Sequence, residues 1–168
     1  MHRLDAMSDA RWFVAHTRPR CEKKLATCCE RDGISATLPC YRVEHKYRGK
    51  TVAFQKPLFP GYVFLKISAE QRGKVARSEY LARLLDVADQ NLFDRQINDV
   101  LRALETDFEI RLAPSIGEGM KVKITNGTLR GMEGWVERRY GTNTVLLRLD
   151  FIGQAAAVKV EATDLEAV

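Results

Sequence analysis

Lys56-Pro57-Leu58-Phe59-Pro60-Gly61-Tyr62-Val63-Phe64-Leu65-Lys66-Ile67 couples a stiff corner to a strongly β-forming run. Pro57 and Pro60 each fix φ and remove a backbone donor, so the segment before Gly61 is not a central strand. Gly61 permits a tight turn, and Tyr62 to Ile67 reads as a strand. Two aromatic side chains are thereby held at a rigid corner. Phe59, bracketed by prolines and a glycine, is expected to be exposed. Two readings of the corner are open: an aromatic recognition surface, or a stiff turn over the core.

Upstream, Thr37 to Tyr47 reads as a strand, Arg48-Gly49-Lys50 as a hairpin turn and Thr51 to Phe54 as the return strand. This hairpin carries Arg42, Lys46, Arg48 and Lys50. Further back, Trp12 to His16 is a strand candidate. Thr17-Arg18-Pro19 is a helix-start signal with proline in the first turn. The helix is expected to run to about Arg31, with Gly33 as its stop. Cys21, Leu25, Cys28 and Cys29 form its apolar face, and Arg20, Lys23, Lys24 and Arg31 lie largely off it. Downstream, a helix over Ala69–Glu79 and a strand over Leu84–Val87 are expected. An amphipathic helix follows, with Phe93, Ile97, Val100, Leu101 and Leu104 on one face. This order predicts an α+β domain with helices over one antiparallel sheet.

Periodicity fades from Thr106 to Glu118, which reads as a linker. The pattern then turns all-β. Lys121 to Thr125 alternates, Asn126-Gly127 marks a turn, and Trp135-Val136 opens a strand. Thr144–Phe151 and Ala155–Val160 follow. Short strands in so few residues fit a small barrel, with Trp135 expected to fill much of its core. The divisions are a loose tail at 1–10 (Met7 an alternative start), a first domain at 11–105, a linker at 106–118 and a second domain at 119–168.

Charge is uneven. Residues 1–60 hold 12 lysines and arginines against 6 acids, whereas residues 61–168 hold 15 against 16. The positive excess thus sits in the first third and points to an anionic partner, most simply nucleic acid phosphate. The 45% hydrophobic and 29% charged fractions are those of a globular protein. No apolar run is long enough to span a membrane, and the first ten residues do not resemble a signal peptide. The four cysteines form no Cys-x-x-Cys pair and histidines are only three, so zinc is not expected. A reducing cytoplasm fits the free thiols. Thiol catalysis at Cys28-Cys29 is disfavoured, because no histidine is near in sequence and adjacent helical residues point to different faces.

Trp12-Phe13-Val14, Leu58-Phe59-Pro60-Gly61-Tyr62-Val63-Phe64 and the KOW-like run Gly119 to Gly127, with Gly131 and Gly134, resemble NusG-type transcription elongation factors. Arg48-Gly49-Lys50 and Pro57-Leu58-Phe59-Pro60 resemble the RfaH-like specialised paralogues of that family. The resemblance implies an NGN-type domain with a four-stranded antiparallel sheet and flanking helices, followed by an SH3-like KOW barrel. It implies a non-enzymatic, cofactor-free monomer that binds bacterial RNA polymerase at the β′ clamp helices, suppresses pausing and acts in antitermination. Carried over, the polymerase contact is Phe59, Pro60, Tyr62 and Phe64, with ordinary core the other reading of Phe64. Non-template DNA of the transcription bubble would meet Arg18, Arg20, Lys23, Lys24 and Arg31. Pro19 and Cys28 stand where that face would carry charge or polarity, so phosphate attraction is favoured over base reading. Gln71 to Val75 lacks the His-Thr-Thr-like run of RfaH. Phe151, Ile152 and Gly153 match the KOW loop that binds Rho or a small-subunit ribosomal protein; Ile152 and Gln154 depart from the Rho-binding pattern. The alternative is an RNA- or ribosome-binding KOW protein.

Overall fold

The computed structural model describes residues 9–114, 119–137, 140–141 and 143–168. Most of the expected N-terminal tail, the end of the 106–118 linker, Arg138, Arg139 and Thr142 lie outside the described residues. The chain forms two compact units. One comprises residues up to Leu38 together with Phe59–Asn91; the other comprises Pro39–Leu58 and Leu92–Val168.

The first unit is an antiparallel sheet with helices on one face. Its strands are β1 (Arg11–Thr17), β2 (Ala36–Thr37), β5 (Tyr62–Ile67) and β6 (Leu81–Asp86), in the order β2-β5-β1-β6. β1 is central and nearly all buried, flanked by β5 and β6. Helix α1 (Glu22–Arg31) buries Leu25 and Cys29, and helix α2 (Ala69–Ala76) buries Val75. These side chains pack with Phe13, Ala15, Val63, Leu65 and Ile67, the residues that alternation places on one face of the sheet.

α1 begins later than the sequence signals. Arg20 adopts φ 60°, which breaks the helix before it starts, and Cys21 is a cap without a side-chain acceptor. Pro19 is therefore outside the first turn. The C-terminus forms as expected: Gly33 at φ 72° lets its own N–H reach the Glu30 carbonyl and the Ile34 N–H reach that of Cys29 (2.8 Å). α2 carries a Ser68–Gln71 capping box and ends at Ala76.

In the second unit, β3 (Cys40–Tyr47) and β4 (Lys50–Pro57) form a two-stranded ribbon joined by Arg48-Gly49, with Tyr47 opposite Lys50. The single strand expected over 37–47 is two strands, because Pro39 interrupts it. Helix α3 (Gln90–Leu104) buries Phe93, Gln96, Ile97, Val100 and Ala103. A six-stranded antiparallel sheet follows, in the order β12-β8-β9-β10-β11-β7. Its strands are β7 (Ile110–Pro114), β8 (Met120–Ile124), β9 (Glu133–Val136), β10 (Thr144–Leu149), β11 (Gln154–Lys159) and β12 (Leu165–Ala167). β7 lies where the sequence reads as linker: Ile110 to Pro114 pair with Val158 to Gln154 of β11.

Trp135 does not fill the core of this sheet. It is half-buried, with the Arg148 guanidinium 4.3 Å and the Lys121 ammonium 5.7 Å from its ring centre. The interior is built instead from aliphatic and alanine side chains of β10 and β11, with Val122, Ile124, Leu129 and Met132 also buried. Close packing of β9 on β10 depends on Gly134. A Cβ there would stand 2.5 Å from Val145 Cγ1 and 2.8 Å from the Leu146 carbonyl oxygen.

Candidate polymerase and nucleic-acid surfaces

The corner Phe59-Pro60-Gly61-Tyr62 is a β-turn closed by the Tyr62 N–H donating to the Phe59 carbonyl (3.2 Å). Proline second and Gly61 third at φ 89° are the features of a type II turn. Two further bonds pin it. The Gly61 carbonyl accepts from Thr17 N–H (2.9 Å), and the Gly61 N–H donates to the Glu22 carboxylate (3.1 Å). The corner is thus tied to the end of β1 and the first turn of α1.

Phe59 is not exposed. It is 1% accessible and lies edge-on to the equally buried Phe64, with ring centres 6.0 Å apart. The turn folds its first side chain inward, because burying an aromatic ring outweighs the bracketing prolines. What faces solvent is Pro60, with Tyr62 partly exposed. Tyr62 stacks at 5.3 Å on His16, the residue directly opposite it in the β1–β5 register. His16 is exposed, and sequence reading missed it. Its only sequence signal is a polar residue directly after the apolar run Trp12–Ala15. Of the four expected contact residues, then, Phe59 and Phe64 form the floor, while Pro60 and Tyr62 with His16 form the accessible top.

The five expected cationic residues Arg18, Arg20, Lys23, Lys24 and Arg31 are all exposed and lie on the loop into α1 and on α1 itself. Lys24 sits over the Tyr80 ring (5.9 Å), and Arg31 Nη2 approaches Cys28 Sγ at 3.4 Å. Beside them, burial pushes the Cys29 thiol up to about 11, with Cys28, Asp32 and Glu30 adding smaller effects. A thiol held protonated is a poor nucleophile. Among the described residues, no group of three or more His, Cys, Asp or Glu is arranged to hold a metal. Among them, too, no helix is long and apolar enough to cross a membrane.

Phe151 and Ile152 lie in the 3₁₀ turn Asp150–Ile152 between β10 and β11, which Gly153 ends at φ 64°. Phe151 is 39% accessible and meets Phe93 edge-on at 6.3 Å. Asp150 and Gln96 exchange two hydrogen bonds, at 2.9 and 3.0 Å.

A family model described as "Transcription termination factor nusG" matches residues 10–107, more than half of the chain. The chain belongs to the NusG family. Members of this family are non-enzymatic transcription factors that bind RNA polymerase. No curated protein matches this NusG-family chain. Among solved structures it is similar to a chain of the crystal structure of the MjSpt4:Spt5 complex, conformation B. The identity is 15%, covering 94% of this chain and 96% of that one, with a TM-score of 0.30.

Proposed function

We propose that this NusG-family protein is an RfaH-like elongation and antitermination factor of the bacterial cytoplasm. It binds RNA polymerase at the β′ clamp helices and suppresses pausing. The observation that supports this most is the Phe59–Tyr62 corner, pinned by three hydrogen bonds and floored by a packed Phe59–Phe64 pair. Such a surface is rigid before it meets a partner, so little order is lost on binding. Tyr62 offers apolar area and a hydroxyl, the usual chemistry of an interface anchor.

The protein acts without chemistry of its own. Binding the closed clamp more tightly than the open one shifts the polymerase away from paused states. The cations of the α1 face, Arg18, Arg20, Lys23, Lys24 and Arg31, attract the phosphates of the non-template strand. Arg20 supports this role, since a non-glycine residue at positive φ costs about 1–2 kcal/mol and such strain gathers at functional sites. The NGN-type domain spans 11–105 and the KOW-type domain 119–168. The latter recruits a small-subunit ribosomal protein through Phe151, Ile152 and Gly153.

The test is affinity for RNA polymerase. Tyr62→Ala should weaken binding by 30-fold or more, the effect of losing about 2 kcal/mol at a hot spot. Unchanged affinity in a folded variant refutes the assignment of this corner.

A further inference from the structure

The β3–β4 ribbon has two unlike faces. In an antiparallel pair, residues directly opposite each other share a face. The pairs Tyr47–Lys50, His45–Val52, Val43–Phe54 and Tyr41–Lys56 therefore define one face, and Lys46–Thr51, Glu44–Ala53 and Arg42–Gln55 the other. The first face is aromatic and apolar, yet it is open to solvent. Tyr47 is 71% accessible, Phe54 46% and Val52 39%. Three of the seven large exposed hydrophobic residues among those described thus lie on one small ribbon face, which marks it as a binding surface.

Charge selects the occupant. Residues 40–57 carry Arg42, Lys46, Arg48, Lys50 and Lys56 against a single acid, Glu44. Glu44 lies on the polar face and is engaged by Arg42 at 3.3 Å. The aromatic face is therefore edged by Lys50 and Lys56 with no acid of its own. His45 and Phe54 already form a tilted ring pair, 5.8 Å between centres. Tyr47 stands two residues beyond His45, about 7 Å along the strand. Rings at such spacing, bordered by cations, suit unpaired bases, whose faces stack on aromatics while the phosphates meet lysine and arginine.

Arg48 adds an independent observation. It occupies the first position of the two-residue turn at φ 45°, followed by Gly49 at φ 81°. Both central residues at positive φ make a type I′ turn, where asparagine or glycine is the strain-free choice. The chain instead keeps a cation there, at the tip of the ribbon.

We propose that the aromatic face of this ribbon binds single-stranded nucleic acid, separately from the α1 cations. The source of the strand, a transcription bubble, rests on the function proposed above; the binding itself does not require polymerase.

The test is fluorescence anisotropy of the full chain with a labelled single-stranded DNA of roughly 15 nucleotides, and with the same sequence as duplex, across a salt series. Tyr47→Ala and Phe54→Ala should each reduce single-strand affinity about 5- to 100-fold, leave the salt slope unchanged and spare duplex binding. Phe54→Tyr should keep the affinity, which separates ring loss from misfolding. Joint Arg48→Gln and Lys50→Gln should flatten the salt slope by about 1.4. The proposal is overturned if the parent does not bind the single strand, or if the alanine variants bind it like the parent. It is also overturned if those variants lose duplex equally or lose only polymerase, the last outcome marking a protein-docking face. None of these outcomes depends on Tyr62, so failure here leaves the polymerase reading standing, and the reverse holds too.

Discussion

Gly61→Ala isolates one physical cause at the corner. An added Cβ would meet only the His16 ring, at 3.6 and 3.7 Å, which is ordinary contact. Crowding therefore contributes nothing, and the whole penalty is φ 89°. Holding an L-residue in that region costs about 1–2 kcal/mol. Alanine also restricts the unfolded chain, which returns about 0.4–1 kcal/mol. The net loss should be about 1 kcal/mol. With a urea dependence of about 2 kcal/mol per molar, the midpoint should fall by about 0.5 M. The chain's two tryptophans make this measurable, because Trp12 lies in β1 of the unit that holds the corner and Trp135 in the other unit. In a Trp135→Phe background, Trp12 emission reports the unit that holds Gly61. Gly61→Asn should lose less, since asparagine tolerates positive φ. If alanine matches or exceeds glycine in stability, or asparagine is worse than alanine, the turn assignment is wrong. A loss above about 3 kcal/mol would show that the three pinning hydrogen bonds had broken as well.

Gly134→Ala should act by the opposite cause. Its Cβ would strike the Leu146 carbonyl, a backbone atom that cannot step aside, so a loss of about 1–3 kcal/mol is expected in Trp135-monitored unfolding. Cys29 should make the first unit alkali-sensitive. Its folded pKa of about 11 exceeds the ordinary 9.0, so its contribution is intact below pH 9 and is lost as pH rises toward 11. Cys29→Ala should flatten the stability decline over that window, and iodoacetamide at pH 8 should label Cys29 more slowly than Cys21, Cys28 or Cys40. Arg48→Asn should relieve turn strain of about 1 kcal/mol, read by urea unfolding, while lowering single-strand DNA affinity in the anisotropy assay.

What the sequence made legible was local. The strand Tyr62–Ile67, the stop at Gly33 and the hairpin turn at Arg48-Gly49 each follow from one or two residues whose backbone preferences are strong. What it hid depends on partners far along the chain. Nothing near Phe59 in sequence announces the Phe64 ring that receives it. His16 becomes part of the corner only through its register with Tyr62. Trp135 looked like core because tryptophan usually is. The β9–β10 pairing of Trp135 with Leu146 instead brings Arg148, two residues further on, over the indole. β7 is hidden in the sequence because Ile110 to Pro114 is a short edge strand whose pairing with β11 substitutes for a periodic pattern of its own. The start of α1 is obscured for a different reason: Thr17-Arg18-Pro19 offers an ordinary start signal, but Arg20 turns left-handed before the helix can begin.

Under the function proposed above, the Pro60–Tyr62 corner grips the polymerase clamp. The most direct measurement is equilibrium binding of the full chain to bacterial RNA polymerase, with intact enzyme and with enzyme lacking the β′ clamp-helix tip. Saturable binding to the first, lost with the second and weakened 30-fold or more by Tyr62→Ala, is the predicted result. Equal binding to both enzymes, or none to the intact one, would contradict it.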